Sequence, residues 1–179
     1  MEIKKKFILT IVLLSYLATA INGAIVITGL ENMAKDLDLN QSVLSWVQNS
    51  YVLAWGCFML LGGRLSDAFG RRGILNLSLL LFGIGSLFAG IATSATILIF
   101  SRFIQGVGAS ILAPTSLALI MDYFTGEERI KAIAWYSSIS GLGMCIGLVI
   151  GGTLASFFSW RYGFFIYLPL IVFMLIVSM

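Results

Sequence analysis

The chain has 179 residues, of which 59% are hydrophobic and 11% are charged, and its mean hydropathy is +1.01. A soluble domain usually carries about twice that share of charged residues, so the composition excludes a soluble globular protein and indicates one embedded in a lipid bilayer. The pI near 9.0 does not indicate a nucleic-acid partner, because the basic residues are scattered over short connecting segments and form no patch.

The first predicted element is an apolar helix over residues 7–30, which has the length of a membrane span rather than of a signal peptide. Residues 31–41 are polar and are predicted to form the first external loop, in which Glu31 is expected to be solvated. Asn40 or Ser42 is expected to cap the second helix with a side-chain oxygen. That helix is predicted over residues 42–61.

The remaining predicted helices also have the length of membrane spans. Helix 3 is predicted over residues 73–92, helix 4 over residues 96–123, and helix 5 from a cytoplasmic loop at residues 127–131 to residue 157. Trp160 and Arg161 mark the outer interface, and helix 6 is predicted from Tyr162 to Met179. The sequence therefore predicts an all-α membrane protein with a single domain of six transmembrane helices over residues 1–179.

Arginines and lysines determine the predicted orientation, because basic residues favour the cytoplasmic side of a membrane protein. In this layout Lys35 and Arg161 lie outside, and eight basic residues lie inside, namely Lys4, Lys5, Lys6, Arg64, Arg71, Arg72, Arg129 and Lys131. We therefore expect a multi-pass protein of the cell membrane whose amino terminus is cytoplasmic. Arg102 alone is left at membrane depth.

An internal repeat emerges when the sequence is shifted by 89 residues without gaps. The shift brings the end of helix 2 onto the end of helix 5, and it pairs Gly62 with Gly151, Gly63 with Gly152, Leu65 with Leu154, Phe69 with Phe158, Arg72 with Arg161 and, further upstream, Trp46 with Trp135. Three helices separate the copies, so one copy lies inside and the other outside. The sequence thus predicts two inverted three-helix repeats, at about residues 7–92 and 96–179, a pattern found in secondary transporters.

The segment between helices 2 and 3, residues 62–75, has the sequence GGRLSDAFGRRGIL, and a connection this short must turn tightly, which suits glycine. It resembles the corresponding loop of the major facilitator superfamily of transporters, with Ala68 where that family usually has a basic residue. The matching positions are Gly63, Asp67, Gly70, Arg71 and Arg72. The resemblance implies a cytoplasmic gate in which Asp67 and Arg71 lie near Asp122 at the inner end of helix 4. An ordinary basic anchor would explain the arginines but not Asp67 or the glycines.

Helix 4 carries Arg102 about two turns into the bilayer, where a permanent charge is costly unless it faces the bundle interior and finds partners. The alternative is that Arg102 snorkels to the outer interface. Arg102, Gln105 and Gly106 form the pattern R-x-x-Q-G, which resembles the superfamily segment linked to the coupling of protons to transport.

Helix 5 has glycines at intervals of four residues, which clear one face for the close approach of another helix. The helix 5 motif of superfamily antiporters is similar, with a proline at the position of Leu148. The matching positions are Gly143, Gly147, Gly151 and Gly152. Packing alone is the simpler interpretation of the glycines. The segments that begin at Trp46 and Trp160 resemble parts of helices 2 and 6 in drug:proton antiporters with twelve or fourteen helices.

Polar residues at membrane depth are expected to face the interior of the bundle. They fall mainly on helices 1, 2, 4 and 5, which predicts a water-accessible cavity lined by these helices, with helices 3 and 6 facing lipid. The residues expected to border the cavity are Asn22, Gln48, Tyr51, Arg102 and Gln105.

Helix 1 departs from the related antiporters, which often carry an aspartate and a proline where this chain has Asn22 and Glu31. Asparagine cannot change charge near neutral pH. The chain has no histidine, which excludes histidine proton relays and imidazole metal ligands. If transport is coupled to protons, we expect the essential carboxylate to lie on a second half of the protein or to be Glu31 drawn into the cavity.

The sequence predicts the amino-terminal six-helix half of a secondary transporter rather than an enzyme. The resemblance implies proton-coupled efflux of drugs or other small molecules by alternating access, with metabolites and sugars equally open as substrates. The expected partners are the lipid bilayer, a small-molecule substrate, protons and a second six-helix half, in the same chain or another. No metal, other cofactor or nucleic acid is expected. The alternative is a non-transporting membrane module or a truncated, inactive fragment.

Overall fold

The computed structural model describes residues 2–178, with side chains from Lys5 onward, so Met179 and the side chain of Lys4 lie outside the described residues. The described residues form an all-α structure whose elements are α1 (Glu2–Asp36), α2 (Gln41–Phe69), α3 (Arg71–Gly90), α4 (Ala95–Tyr123), α5 (Gly126–Phe157), α6 (Tyr162–Phe165) and α7 (Tyr167–Ser178). Five of these helices are long and apolar enough to cross a membrane, and Tyr162–Ser178 forms a shorter apolar segment in the place of predicted helix 6. The predicted all-α membrane fold is confirmed.

The break between α6 and α7 has a local cause in Pro169. Proline has no backbone N–H, so it cannot bond to the carbonyl of Phe165, the residue four positions earlier and the last of α6. The chain continues in nearly the same direction, because Ile166 keeps a helical backbone and its N–H bonds to the Tyr162 carbonyl at 3.1 Å. The two elements therefore serve as one interrupted span.

Three predicted boundaries are wrong. The loop predicted at residues 127–131 lies within α5, which begins at Gly126. The loop predicted at residues 31–41 is helical as far as Asp36, so Glu31 belongs to α1. Helix α2 continues to Phe69, past the predicted end at residue 61, and Gly70 alone makes the turn with a φ of 92°. A helix can outrun the apolar stretch that defines a span, because its backbone stays bonded while polar side chains enter water. The predicted cap is confirmed at Asn40, whose side chain accepts a bond from the Val43 N–H at 2.9 Å.

Helix α4 forms the centre of the bundle, packed against α2 on one side and α3 on the other, while α1 packs along α5 and also meets α4. The larger buried cluster joins α3, α4 and α7 through residues such as Phe82, Leu112 and Tyr167. A second buried cluster includes Val47, Leu98 and Trp160 and lies towards the end of the bundle that holds Trp160. This packing places the middle of α4 deep inside the protein.

The surface of the bundle is apolar, as expected where a protein meets lipid or another helical unit. Helices α2 and α5 are the most exposed spans. In the most apolar 18-residue stretch of each helix, 17% is buried in α2 and in α5, against 56% in α3 and 61% in α4. Large exposed side chains include Leu60 and Phe157. Both cysteines, Cys57 and Cys145, are free and exposed.

Candidate functional site

Arg102 is the largest fully buried side chain of the described residues, with an exposed fraction of 0%. Its Nε donates to the Val47 carbonyl at 3.2 Å, and its Nη1 donates to Asn22 Oδ1 at 2.7 Å and to Gln105 Oε1 at 2.8 Å. The guanidinium also lies over the ring of Tyr51, 4.2 Å from the ring centroid. The side chain therefore points into the bundle, and the alternative that it snorkels to the outer interface is wrong.

The bonds of Arg102 and Gln105 tie four helices together. Asn22 belongs to α1, Val47 to α2, and Arg102 and Gln105 to α4. Gln105 extends the network to α3, because its Nε2 donates to the hydroxyl of Ser86 at 2.7 Å. We call Asn22, Ser86, Arg102 and Gln105 the arginine cluster. The sequence analysis did not predict Ser86, because serine is common in apolar helices.

The arginine cluster carries a positive charge that no acidic side chain among the described residues neutralises. The five ion pairs among the described residues all lie near the ends of the helices, and none includes Arg102. Two donors of the cluster, Arg102 Nη2 and Asn22 Nδ2, are buried and have no hydrogen-bond partner within the described part of the chain. A buried cation with unused donors is a demanding arrangement, because neither the charge nor the N–H groups recover what they lose on leaving water.

The predicted cavity residues separate into two groups by exposure. Asn22, Arg102 and Gln105 are fully buried, whereas Gln48 and Tyr51 are half-buried. Tyr51 therefore lies between the guanidinium and the surface of this bundle. The arginine cluster is closed to water in this conformation, so the water-accessible cavity stays a prediction that requires a different arrangement of these side chains.

The segment of residues 62–75 brings Arg71 to both predicted carboxylates. Its guanidinium lies 2.7 Å from Asp122 Oδ2 and 3.3 Å from Asp67 Oδ1, and it also donates to the carbonyl of Ala118 near the end of α4. An acid at a helix carboxyl end is disfavoured by the helix dipole, and the nearby guanidinium offsets that cost. The predicted proximity of Arg71, Asp67 and Asp122 is therefore present.

The other residues of the segment have different surroundings. Gly70 needs its positive φ, which a side chain rarely adopts. Gly63 lies in α2, and a Cβ there would meet Pro114 at an ordinary contact distance of 3.8 Å, so packing does not require glycine. Arg72 donates through Nε to the carbonyl of Ser178 at the end of α7.

We expect Asp122→Asn to lower the unfolding free energy by about 1 kcal/mol, because it weakens a charge-assisted contact that is partly shielded from water. Asp67→Asn is the matched control. It removes the longer contact from a side chain that is 67% exposed, against 46% for Asp122, so its effect should be near zero. The midpoint of thermal unfolding of each purified variant measures the difference. A larger loss for Asp67→Asn than for Asp122→Asn would contradict this ranking.

The glycines of α5 face α1. Cβ atoms at Gly143 and Gly147 would lie 2.8 Å and 2.7 Å from the side chains of Ala20 and Ala24, and one at Gly151 would lie 2.8 Å from the Cα of Ile25. Gly152 differs, since a Cβ there would meet nothing within 4 Å. On α4, a Cβ at Gly106 would lie 2.8 Å from the Cβ of Ala54 and 3.1 Å from the carbonyl carbon of Tyr51 on α2. Gly143, Gly147, Gly151 and Gly106 therefore allow the close helix contacts that surround the arginine cluster.

The end of the bundle that holds Trp160 has an ion pair that was not predicted from the sequence. Arg161 pairs with Asp36 at the end of α1, and it donates through Nη2 to the carbonyl of Ala92 at 3.0 Å. The indole N–H of Trp160 donates to the same carboxylate at 3.2 Å. The 89-residue shift pairs Arg161 with Arg72, which bonds to the carbonyl of Ser178, so the repeat did not signal this ion pair.

The family model described as "Major Facilitator Superfamily" matches residues 12–179. Among similar sequences, the puromycin resistance protein pur8 of Streptomyces alboniger is 40% identical over 162 residues, which cover 90% of this chain and 32% of that protein. The multidrug transporter protein MdtP of Bacillus subtilis (strain 168) is 32% identical over 166 residues, which cover 93% of this chain and 30% of that protein. The chain thus spans about a third of the length of the curated relatives it matches.

A solved structure of similar fold is that of the proton:xylose symporter XylE bound to 6-bromo-6-deoxy-D-glucose. It aligns with a TM-score of 0.85 at 18% identity, covering 96% of this chain and 43% of the symporter. At this identity the likeness concerns the fold alone. The described helices therefore correspond to part of a larger helical membrane protein.

Proposed function

Because the chain belongs to the major facilitator superfamily, we propose that it is the amino-terminal six-helix half of a secondary transporter that exports small molecules by proton-coupled alternating access. The observation that carries the proposal is the arginine cluster, a buried charged group held by four helices at the centre of the bundle. Intramembrane charges of this kind mark substrate and ion pathways. The similarity to a puromycin resistance protein and to a multidrug transporter protein supports drugs as the class of cargo.

The proposal includes two inverted three-helix repeats, residues 7–92 and 96–179, within the single domain over residues 1–179. In an inverted repeat, α1 corresponds to α4 and α2 corresponds to α5. The packing of α2 on α4 therefore has its counterpart in the packing of α5 on α1. The ends of the helices support the same exchange. Arg71 at the start of α3 pairs with Asp122 near the end of α4, and Arg161, just before α6, pairs with Asp36 at the end of α1.

A second six-helix half, in the same chain or another, completes the proposed transporter, because alternating access needs one bundle to rock against the other around a shared site. The exposed faces of α2 and α5 are the surfaces that this half would cover. The proposed location is the cell membrane with the amino terminus cytoplasmic. The distribution of basic residues supports this orientation. Lys5 near the start of α1 contacts Glu128 in the first turn of α5 at 2.6 Å, so these two helix ends lie on the same side of the bundle.

The cytoplasmic segment acts, in this proposal, as a latch of the inner gate. Arg71 joins the start of α3 to the end of α4 through Asp122, and Gly70 sets the angle between α2 and α3. When the two halves separate on the cytoplasmic side, Arg71 and Asp67 are free to exchange partners. The positions of Gly63 and Arg72 in the segment make them further members of this latch.

Proton coupling leads to an expected result for Glu31. Its side chain is 79% exposed and pairs with Lys35 at 2.7 Å, so it is a solvated residue remote from the arginine cluster. We therefore expect Glu31→Gln to retain export driven by a pH gradient in proteoliposomes that contain the complete transporter. Neutralising one membrane-depth carboxylate of the second half should abolish that export, because a proton carrier must load and unload near neutral pH. A panel of antibiotics that includes puromycin serves as cargo.

Two outcomes would count against this assignment. Loss of pH-driven export in Glu31→Gln would place the proton carrier on α1. Full pH-driven export after every membrane-depth carboxylate of the second half has been neutralised would reject a carboxylate carrier altogether. Lys35→Gln is the matched control, since it breaks the same exposed pair from the other side and should also leave export unchanged.

A further inference from the structure

We infer that the arginine cluster is a binding site for a carboxylate, a site that goes beyond the proposed function. The inference rests on the charge of Arg102 and on the two unused donors beside it.

The two unused donors belong to side chains that are already joined by a hydrogen bond. Arg102 Nη1 donates to Asn22 Oδ1 at 2.7 Å, and the unpartnered donors are Nη2 of the same guanidinium and Nδ2 of the same amide. A carboxylate has two oxygens, one for each donor, and a bond from a guanidinium to an anion is among the strongest hydrogen bonds in proteins. A single bound anion would use both donors and neutralise the buried charge.

Tyr51 controls access to the site. Its ring covers the guanidinium at 4.2 Å and is itself half-buried, whereas Arg102 and Asn22 are fully buried. We expect a movement of the Tyr51 side chain to open the way to the two donors. The ring also offers an apolar wall, so the site favours a carboxylate attached to an apolar or aromatic group.

Asn22 makes the inference testable, because aspartate at this position would supply a fixed carboxylate to the same guanidinium. The Asn22→Asp protein should be more stable than the wild type in the absence of added anions, and it should no longer respond to them. Asn40→Asp is the matched control. It makes the same change of charge at an exposed cap of α2, where aspartate caps as well as asparagine, and it should keep the wild-type response.

The experiment is thermal unfolding of the complete transporter in a non-ionic detergent, with benzoate as the probe. Benzamide and sodium chloride at equal ionic strength serve as the uncharged and spherical comparisons. We expect benzoate at one hundred times its Kd to raise Tm by about 3 °C in the wild type and in Asn40→Asp, and to have no effect in Asn22→Asp. Arg102→Gln should also lose the response if it folds.

A wild-type protein whose Tm does not respond to benzoate would place the countercharge on another helix and overturn the inference. A benzoate response that persists in Asn22→Asp would overturn it as well, because the anion would then bind elsewhere. The readout does not depend on transport. Benzoate stabilisation in a protein that exports nothing would support the carboxylate site and reject the proposed efflux function.

Discussion

Gly147→Ala is expected to lower the unfolding free energy of the bundle by about 2–3 kcal/mol. The added Cβ would lie 2.7 Å from the Cβ of Ala24, 2.8 Å from the carbonyl oxygen of Ile21 and 3.0 Å from the Cα of Ile21. Two of these atoms are backbone atoms of α1, so a side-chain rotation cannot remove the overlap. Helices α1 and α5 must move apart along their contact, which weakens dispersion contacts on both sides of it.

The matched control lies on the same helix. Gly141 is exposed, and a Cβ added there meets nothing within 4 Å. Gly141→Ala should leave stability unchanged or raise it by up to about 1 kcal/mol, because alanine favours the helix more than glycine does. Size-exclusion chromatography after heating, which measures the fraction of protein still monodisperse, gives the two midpoints. Equal midpoints for the two variants would show that α5 does not depend on close contact with α1.

Arg102→Lys should abolish transport and lower the unfolding free energy by about 2–4 kcal/mol, although it keeps the charge. Arginine gives separate, fixed N–H groups to the Val47 carbonyl, Asn22 and Gln105, and its flat guanidinium stacks on Tyr51. An ammonium group on a flexible chain cannot reach all three acceptors and cannot stack in the same way. The substituted lysine therefore leaves buried acceptors without donors and remains a buried charge itself.

Arg64→Lys is the control for this change, because Arg64 is exposed and the substitution is the same. Its stability and transport should match the wild type. Transport of the antibiotic panel in proteoliposomes and the midpoint of thermal unfolding together test the prediction. Normal transport by Arg102→Lys would mean that the site needs a positive charge and no particular geometry, which contradicts the role given to the arginine cluster.

Local patterns predicted the features that depend on one helix or one end. The interval of four residues between Gly143, Gly147 and Gly151 places them on one side of α5, and that side faces α1. The polar side chain of Asn40, before an apolar run, predicted the cap of α2. The acid at Asp122 and the resemblance of the cytoplasmic segment predicted the position of Arg71. Each of these depends on interactions within a few turns or on a strong charge pair.

Features that depend on how helices rotate against each other were not predicted. Ser86 joins the arginine cluster because α3 turns that side of its surface to α4, and no pattern within α3 marks the choice. Tyr51 covers the guanidinium of Arg102 because of the way in which α2 is rotated about its own axis, and this rotation was not predicted either. The end of α2 was predicted too early because the glycine pair at Gly62 and Gly63 indicated a turn, whereas Gly62 lies inside the helix and allows close contact with α4. A Cβ at Gly62 would lie 2.7 Å from the Cα of Ile111.

The bond from Arg72 to the carbonyl of Ser178 has a consequence for the biogenesis of the protein. Its partners are 106 residues apart, and the side chain of Ser178 also bonds to Asn76 on α3. At a synthesis rate of about 5–20 residues per second, a ribosome needs about 5–20 s after making Arg72 to reach Ser178. For that time the guanidinium of Arg72, at the start of α3, lacks its hydrogen-bond partner on α7. The bundle cannot reach its final packing until α7 has been inserted, so its earlier helices must be held by lipid or by the insertion machinery.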